Sequence, residues 1–180
     1  MYDYIEKVLI SEEELKEKTI ELAHMVSNDY KDKKLLVISI LKGGFVFTAD
    51  FIRALSIDVT VDFMSVSSYG AATRTSGVVQ IRKDLDNDIK GLDVLICEDI
   101  LDTGLTLSYL KKILIARGAK TVKICTILNK PDRRVADIEP DYVGFDIPDE
   151  FVVGYGLDFA EKYRNLPFVG ILKPEVYAEY

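Results

Sequence analysis

The chain has 180 residues, of which 48% are hydrophobic and 29% charged, with a formal net charge of −7. That length suits one domain with a full core, and the acidic balance excludes broad binding along a nucleic-acid backbone, which needs a basic face. The longest apolar runs, such as Leu35 to Ile38, are too short to cross a bilayer, and the acidic opening Met1-Tyr2-Asp3-Tyr4-Ile5-Glu6 has no apolar signal core, so a cytoplasmic chain without a membrane partner is expected.

In chain order, Ser11-Glu12-Glu13-Glu14 places a serine three residues before a glutamate, a capping box that opens a helix running towards Tyr30. Lys33 to Leu41 reads as a strand, Phe45 to Leu55 as a helix and Asp58 to Ser67 as a strand with partial alternation. Ser67 to Gly77 is small, polar and glycine-containing, the composition of a long loop able to act as a lid, and Val78 to Arg82 follows as a strand paired with another short one. Val94 to Cys97 is a continuous apolar run with β-branched residues, the pattern of a parallel strand buried on both faces. Leu107, Leu110, Lys111, Leu114 and Ile115 then carry helical spacing towards Arg117 and Gly118, and Val122 to Leu128 and Tyr142 to Phe145 read as strands. Alternating strands and helices predict an α/β fold, a doubly wound and mostly parallel sheet flanked by helices, with residues 1–180 forming one domain.

Cys97 and Cys125 lie inside apolar runs and read as small buried hydrophobes, so no disulfide framework is implied. His24 is the only histidine and sits in the first helical stretch, which excludes a zinc site of ordinary spacing and a histidine dyad.

The chemistry concentrates at strand ends, where ligands of such sheets bind. Glu98-Asp99-Ile100-Leu101-Asp102-Thr103-Gly104-Leu105-Thr106 ends an apolar strand in three carboxylates and then offers a glycine, two hydroxyls and free amides before a helix. A phosphate fits the amides, and a ribose diol with Mg²⁺ accounts for acids beside it. Leu41-Lys42-Gly43-Gly44 gives close backbone approach and one cation, and Asn129-Lys130-Pro131 follows a third apolar strand.

The Glu98 to Thr106 segment resembles the phosphoribosyl-pyrophosphate signature of the type I phosphoribosyltransferases, and ordered matches from Leu41 to Arg164 narrow the resemblance to the hypoxanthine-guanine phosphoribosyltransferases. The resemblance implies that Glu98, Asp99, Asp102, Thr103, Gly104, Leu105 and Thr106 bind the ribose phosphate, with Glu98 and Asp99 in the metal shell. Being adjacent, those two acids would point to opposite faces of a regular strand, and their convergence on one ligand is expected because the strand ends there. Asp102 is expected beside purine N7, exchanging its proton as the catalytic group. Lys42, Gly43 and Arg164 are implied on the pyrophosphate, with a cis peptide before Lys42. Lys130 is implied on the purine exocyclic oxygen; an ammonium only donates hydrogen bonds, so it accepts a 6-oxo group and mismatches the amine of adenine. In Phe151-Val152-Val153-Gly154-Tyr155-Gly156-Leu157-Asp158 the resemblance implies stacking by Phe151, edge contacts by Val152 and Mg²⁺ binding by Asp158, and it makes Ser68 and Tyr69 part of a mobile lid. Leu105 departs from relatives that are polar or basic there, which leaves the amides and hydroxyls to hold the phosphate.

Together these imply Mg²⁺-dependent transfer of phosphoribosyl from phosphoribosyl pyrophosphate to hypoxanthine or guanine, in a homodimer or homotetramer with a small hood built from the chain ends. A nucleic-acid-binding regulator on the same fold would need a basic surface or an added module, neither of which this chain shows. A transferase for another base, xanthine above all, is left open.

Overall fold

The protein is seen in a computed structural model that describes residues 2–68 and 79–178. Its elements are β1 (Ile5–Ile10), α1 (Glu12–Asp29), β2 (Leu35–Leu41), α2 (Phe45–Ala54), β3 (Val59–Ser68), β4 (Val79–Lys83), β5 (Asp93–Leu101), α3 (Leu105–Ala116), β6 (Thr121–Asn129), β7 (Tyr142–Asp146), β8 (Val152–Val153), β9 (Val169–Leu172) and α4 (Pro174–Tyr177).

The capping box forms as the sequence requires: Ser11 Oγ accepts from Glu14 N at 3.2 Å, and Glu14 Oε2 accepts from Ser11 N at 2.8 Å. Leu15, Thr19, Leu22, Ala23 and Val26 then fall on one face of α1 and are buried, while His24 points to solvent.

The main sheet runs β4-β3-β2-β5-β6-β7, with all neighbours parallel except the edge strand β4, which is antiparallel to β3. β2 is buried along nearly its whole length because helices cover both faces. Leu35 and Val37 pack with Phe47 and Phe51 of α2 and with α1, whereas Leu36, Ile38 and Ile40 pack with Leu107, Leu110 and Leu114 of α3. Each large side chain buried in this way contributes about 1.5–3 kcal/mol relative to exposure. Cys97 and Cys125 are buried, free and opposite one another in the β5–β6 register.

From β2 the chain passes to β3 on one side and later to β5 on the other, so the strand order reverses between β2 and β5. The crevice beyond the carboxyl ends of those two strands is where such a sheet receives a ligand. Over it sits a second, antiparallel sheet, β1-β9-β8, made from both chain ends around Val153, Leu166, Phe168 and Leu172. The mostly parallel sheet, its flanking helices and the hood all match the expectation.

Boundaries differ in informative places. β2 starts at Leu35 rather than Lys33, α3 starts at Leu105, and β4 covers Val79–Lys83. β5 does not stop at Cys97 but continues to Leu101, paired with β6 as Glu98↔Thr126, Ile100↔Leu128 and Leu101↔Asn129. Ladder hydrogen bonds to β6 carry the strand past the point where its apolar run ends.

Candidate active site

The line joining β2 to the hood has only backbone width. A Cβ added to Gly43 would lie 1.7 Å from Asp99 Oδ2, so only glycine lets the loop after β2 pass that carboxylate. The peptide between Leu41 and Lys42 is cis, as the resemblance implied. Gly156 backs onto Gly43 in turn: a Cβ there would meet Gly43 O at 2.2 Å, and Gly156 O accepts from Arg164 Nη1 at 2.7 Å. Asp99, Gly43, Gly156 and Arg164 therefore form one contiguous path. Gly156 was missed by the sequence reading, although the glycines flanking Tyr155 were the available signal.

Glu98 and Asp99 converge without the strand ending. Ile96 and Leu101 pack in the core facing α3, while Cys97 and Ile100 pack in the core facing α2, so the two-residue alternation slips across Glu98 and Asp99. The slip corrects the expected reason for their convergence. Asp99 is buried and its Oδ1 accepts from Ile100 N at 2.8 Å. Burial, then the adjacent Asp99 charge, pushes the Glu98 carboxyl well above the usual range. Burial raises Asp99 as well, opposed by its hydrogen bond with Glu98 and by the Arg164 charge. Two acids in contact, Asp99 buried and Glu98 half-buried, favour a shared proton or a bound cation.

Beyond β5, Gly104 takes φ +79° and turns the chain into α3, whose first turn has no side-chain cap and no acidic residue. Its amides are thereby left for an anion, and Thr103 and Thr106 stand half-buried beside them. The turn is fixed from behind: Thr103 O accepts from Val135 N and Ala136 N, each at 3.0 Å, and Arg134 donates to the Leu101 and Asp102 carbonyls. Asp102 Oδ1 is buried with no hydrogen-bond partner among the described residues; Arg133 Nε lies 3.1 Å away, but its N–H is not aligned with that oxygen. Neither arginine was singled out by sequence, because an Arg-Arg pair in a polar turn reads as solvated.

Lys130 closes the opposite wall. Its side chain is buried, Nζ donates to Glu150 O at 2.6 Å, and its amide donates to Leu101 O at 2.9 Å. Burial lowers the ammonium's pKa, while the nearby charges of Asp102 and Asp149 oppose the shift. Phe151 is half-exposed and meets Phe159 edge-on, ring centroids 5.6 Å apart. Leu172 N donates to Phe151 O at 3.0 Å, which makes Val152 and Ile171 a non-hydrogen-bonded pair and directs the Val152 N–H and C=O away from β9. The Val152 side chain itself is buried in the core.

On the other side of the crevice, Arg164 Nη2 pairs with Asp158 Oδ1 at 2.7 Å, and Asp158 Oδ2 accepts from Glu161 N at 2.9 Å. Lys42 Nζ pairs with Glu161 Oε2 at 2.7 Å. The geometry thus gathers Lys42, Gly43, Asp99, Asp158 and Arg164 on one side and Asp102, Lys130 and Phe151 on the other. Ser68 ends β3; Tyr69 lies outside the described residues. Among the described residues no cluster of three or more acids, cysteines or histidines has metal-holding geometry. The adjacent Glu98 and Asp99 carboxyls nonetheless suit Mg²⁺, which takes one or two protein carboxylates and completes its shell with water and substrate oxygens.

Residues 10–160 match the phosphoribosyl transferase domain family. A hypoxanthine-guanine phosphoribosyltransferase of Bacillus subtilis (strain 168) is 56% identical over 173 residues, covering 96% of each chain. One from Lactococcus lactis subsp. lactis (strain IL1403) is 54% identical over 96% of this chain and 94% of its own. The crystal structure of a hypoxanthine phosphoribosyltransferase from Staphylococcus aureus superposes with a TM-score of 0.96 at 49% identity, over 98% of this chain and 96% of that one.

Proposed function

Because the chain belongs to the phosphoribosyl transferase domain family, among the hypoxanthine-guanine phosphoribosyltransferases, we propose that its crevice carries out Mg²⁺-dependent phosphoribosyl transfer with the residues described above. The chain is a purine-salvage transferase: hypoxanthine or guanine and phosphoribosyl pyrophosphate give IMP or GMP and pyrophosphate. The bond from purine N9 to ribose C1′ forms as the bond from C1′ to the pyrophosphate oxygen breaks, inverting C1′.

The observation that carries the residue assignment is that one wall of the crevice holds both the buried Lys130 ammonium and an Asp102 oxygen with no hydrogen-bond partner among the described residues. Lys130 donates to the 6-oxo group, and Asp102 accepts the N7 proton as N9 becomes nucleophilic. Phe151 stacks on the ring, and the outward Val152 N–H and C=O meet its edge. The amides of Gly104, Leu105 and Thr106 and the hydroxyls of Thr103 and Thr106 hold the 5′-phosphate at the α3 N-terminus. Lys42, the Gly43 backbone and Arg164 bind the pyrophosphate.

Glu98 and Asp99 as one pair, and Asp158 apart from them, would hold Mg²⁺, which supplies positive charge against the leaving pyrophosphate. The raised carboxyls of Glu98 and Asp99, in contact at the end of β5, support that role. The enzyme works as a cytoplasmic homodimer or homotetramer, and the exposed apolar side chains of Val61 and Phe63 on β3 support the assembly.

The purified protein, mixed with phosphoribosyl pyrophosphate, hypoxanthine and MgCl₂, tests the reading. Equal amounts of IMP and pyrophosphate, lost on chelation by EDTA, are expected; free ribose 5-phosphate without IMP, or equal turnover in EDTA, opposes it.

A further inference from the structure

The two cations assigned to pyrophosphate already face a carboxylate of the chain itself. Glu161 Oε2 is 2.7 Å from Lys42 Nζ and 4.0 Å from Arg164 Nη2. Glu161 reaches them from an unusual backbone: Ala160, Glu161 and Tyr163 all have positive φ, at +50°, +63° and +77°. Non-glycine residues take that region only when their surroundings hold them there. Here the hold is local, since Phe159 and Lys162 exchange backbone hydrogen bonds of 3.1 and 3.0 Å and Glu161 N donates to Asp158 Oδ2 at 2.9 Å.

We propose that Glu161 is an internal stand-in for pyrophosphate, a carboxylate that neutralises Lys42 and is displaced from it when pyrophosphate binds, and so sets how tightly that product is held. The proposal rests on the assignment of Lys42 and Arg164 to pyrophosphate. A carboxylate oxygen and a phosphate oxygen accept from an ammonium in the same way, and both anions at Lys42 would repel each other.

Exposure decides which ion pair exchanges. The Lys42 and Glu161 side chains are 64% and 67% exposed, whereas those of Arg164 and Asp158, 2.7 Å apart, are 21% and 27% exposed. The exposed pair is weak and breaks readily, so Lys42 changes partner while Arg164 keeps Asp158 and the Gly156 carbonyl. Glu161 therefore competes with pyrophosphate without blocking it, and its return to Lys42 helps the product leave.

The test is calorimetric titration of sodium pyrophosphate, in excess MgCl₂, into the wild type, E161Q, E161A, K42M and the E161Q/K42M double variant, with thermal melts to show that each is folded. E161Q and E161A are expected to lower the pyrophosphate Kd about two- to fivefold, the range of an exposed ion pair, and E161Q is expected to have no effect in the K42M background. In kinetics, E161Q should lower KM for phosphoribosyl pyrophosphate and leave KM for hypoxanthine unchanged, a split that a general structural role would not give. An unchanged or raised Kd in both Glu161 variants, with K42M weakening binding, overturns the proposal and makes Glu161 a holder of Lys42. A Kd unchanged in K42M overturns the assignment of Lys42 to pyrophosphate on which the proposal stands.

Discussion

Gly43 and Asp99 touch so closely that no side chain fits between them: a Cβ on Gly43 would stand 1.7 Å from Asp99 Oδ2. The contact joins the loop after β2 to the carboxylates of β5. Gly43→Ala must push one of them aside, and displacement of about 1 Å at a reacting centre costs about 100-fold in rate. Steady-state kinetics should show that loss in kcat/KM for phosphoribosyl pyrophosphate while circular dichroism stays native.

Asp102 offers a buried oxygen with no hydrogen-bond partner among the described residues. Asp102→Asn keeps the shape and removes proton exchange with the base. The expected outcome is a fall in kcat of about 10²- to 10⁴-fold with KM for phosphoribosyl pyrophosphate little changed. An unchanged kcat would remove Asp102 from the proton transfer.

Gly104 combines φ +79° with a near neighbour, since a Cβ there would lie 2.6 Å from Ile138 Cγ2. Gly104→Ala should cost about 1–3 kcal/mol from backbone strain and crowding. It should also tilt the amides at the start of α3, raising KM for phosphoribosyl pyrophosphate more than KM for the base. Thermal melts and the two KM values separate the effects.

Tyr30 lies on the opposite end of the sheet from the crevice, buried beside the starts of β5 and β6. Burial, followed by the charges of Asp93 and Asp141, raises its hydroxyl to about 12 from the ordinary 10.0. Between those values the folded chain keeps a proton that the unfolded chain loses, so stability falls as pH rises through the window. Tyr30→Phe removes that contribution, although burial raises the Tyr142 and Tyr155 hydroxyls too and both remain. Melting temperatures measured from pH 9 to pH 12 should therefore fall less steeply in the variant.

Local signals were legible in the sequence. The capping box fixed the start of α1, the apolar run of β2 declared a doubly covered strand, and Glu98 to Thr106 marked a strand end that turns through Gly104 into a helix with no side-chain cap. Signals that depend on distant partners were not legible. β5 runs through Glu98 and Asp99 because β6 pairs with it, which its own charged end conceals. The hood strands are short, and β8 has only two residues. Gly156 matters through contact with Gly43, Arg134 through the carbonyls of β5, and Glu161 through Lys42, 119 positions away.

The most direct measurement is kcat/KM of the purified protein with phosphoribosyl pyrophosphate and MgCl₂ for hypoxanthine, guanine, xanthine, adenine and uracil, repeated with Lys130→Met. The buried Lys130 ammonium predicts turnover of hypoxanthine and guanine, adenine lower by at least about 100-fold, and a narrowing of that ratio in the variant. Comparable values for adenine and hypoxanthine in the wild type would contradict recognition of a 6-oxopurine at this wall of the crevice.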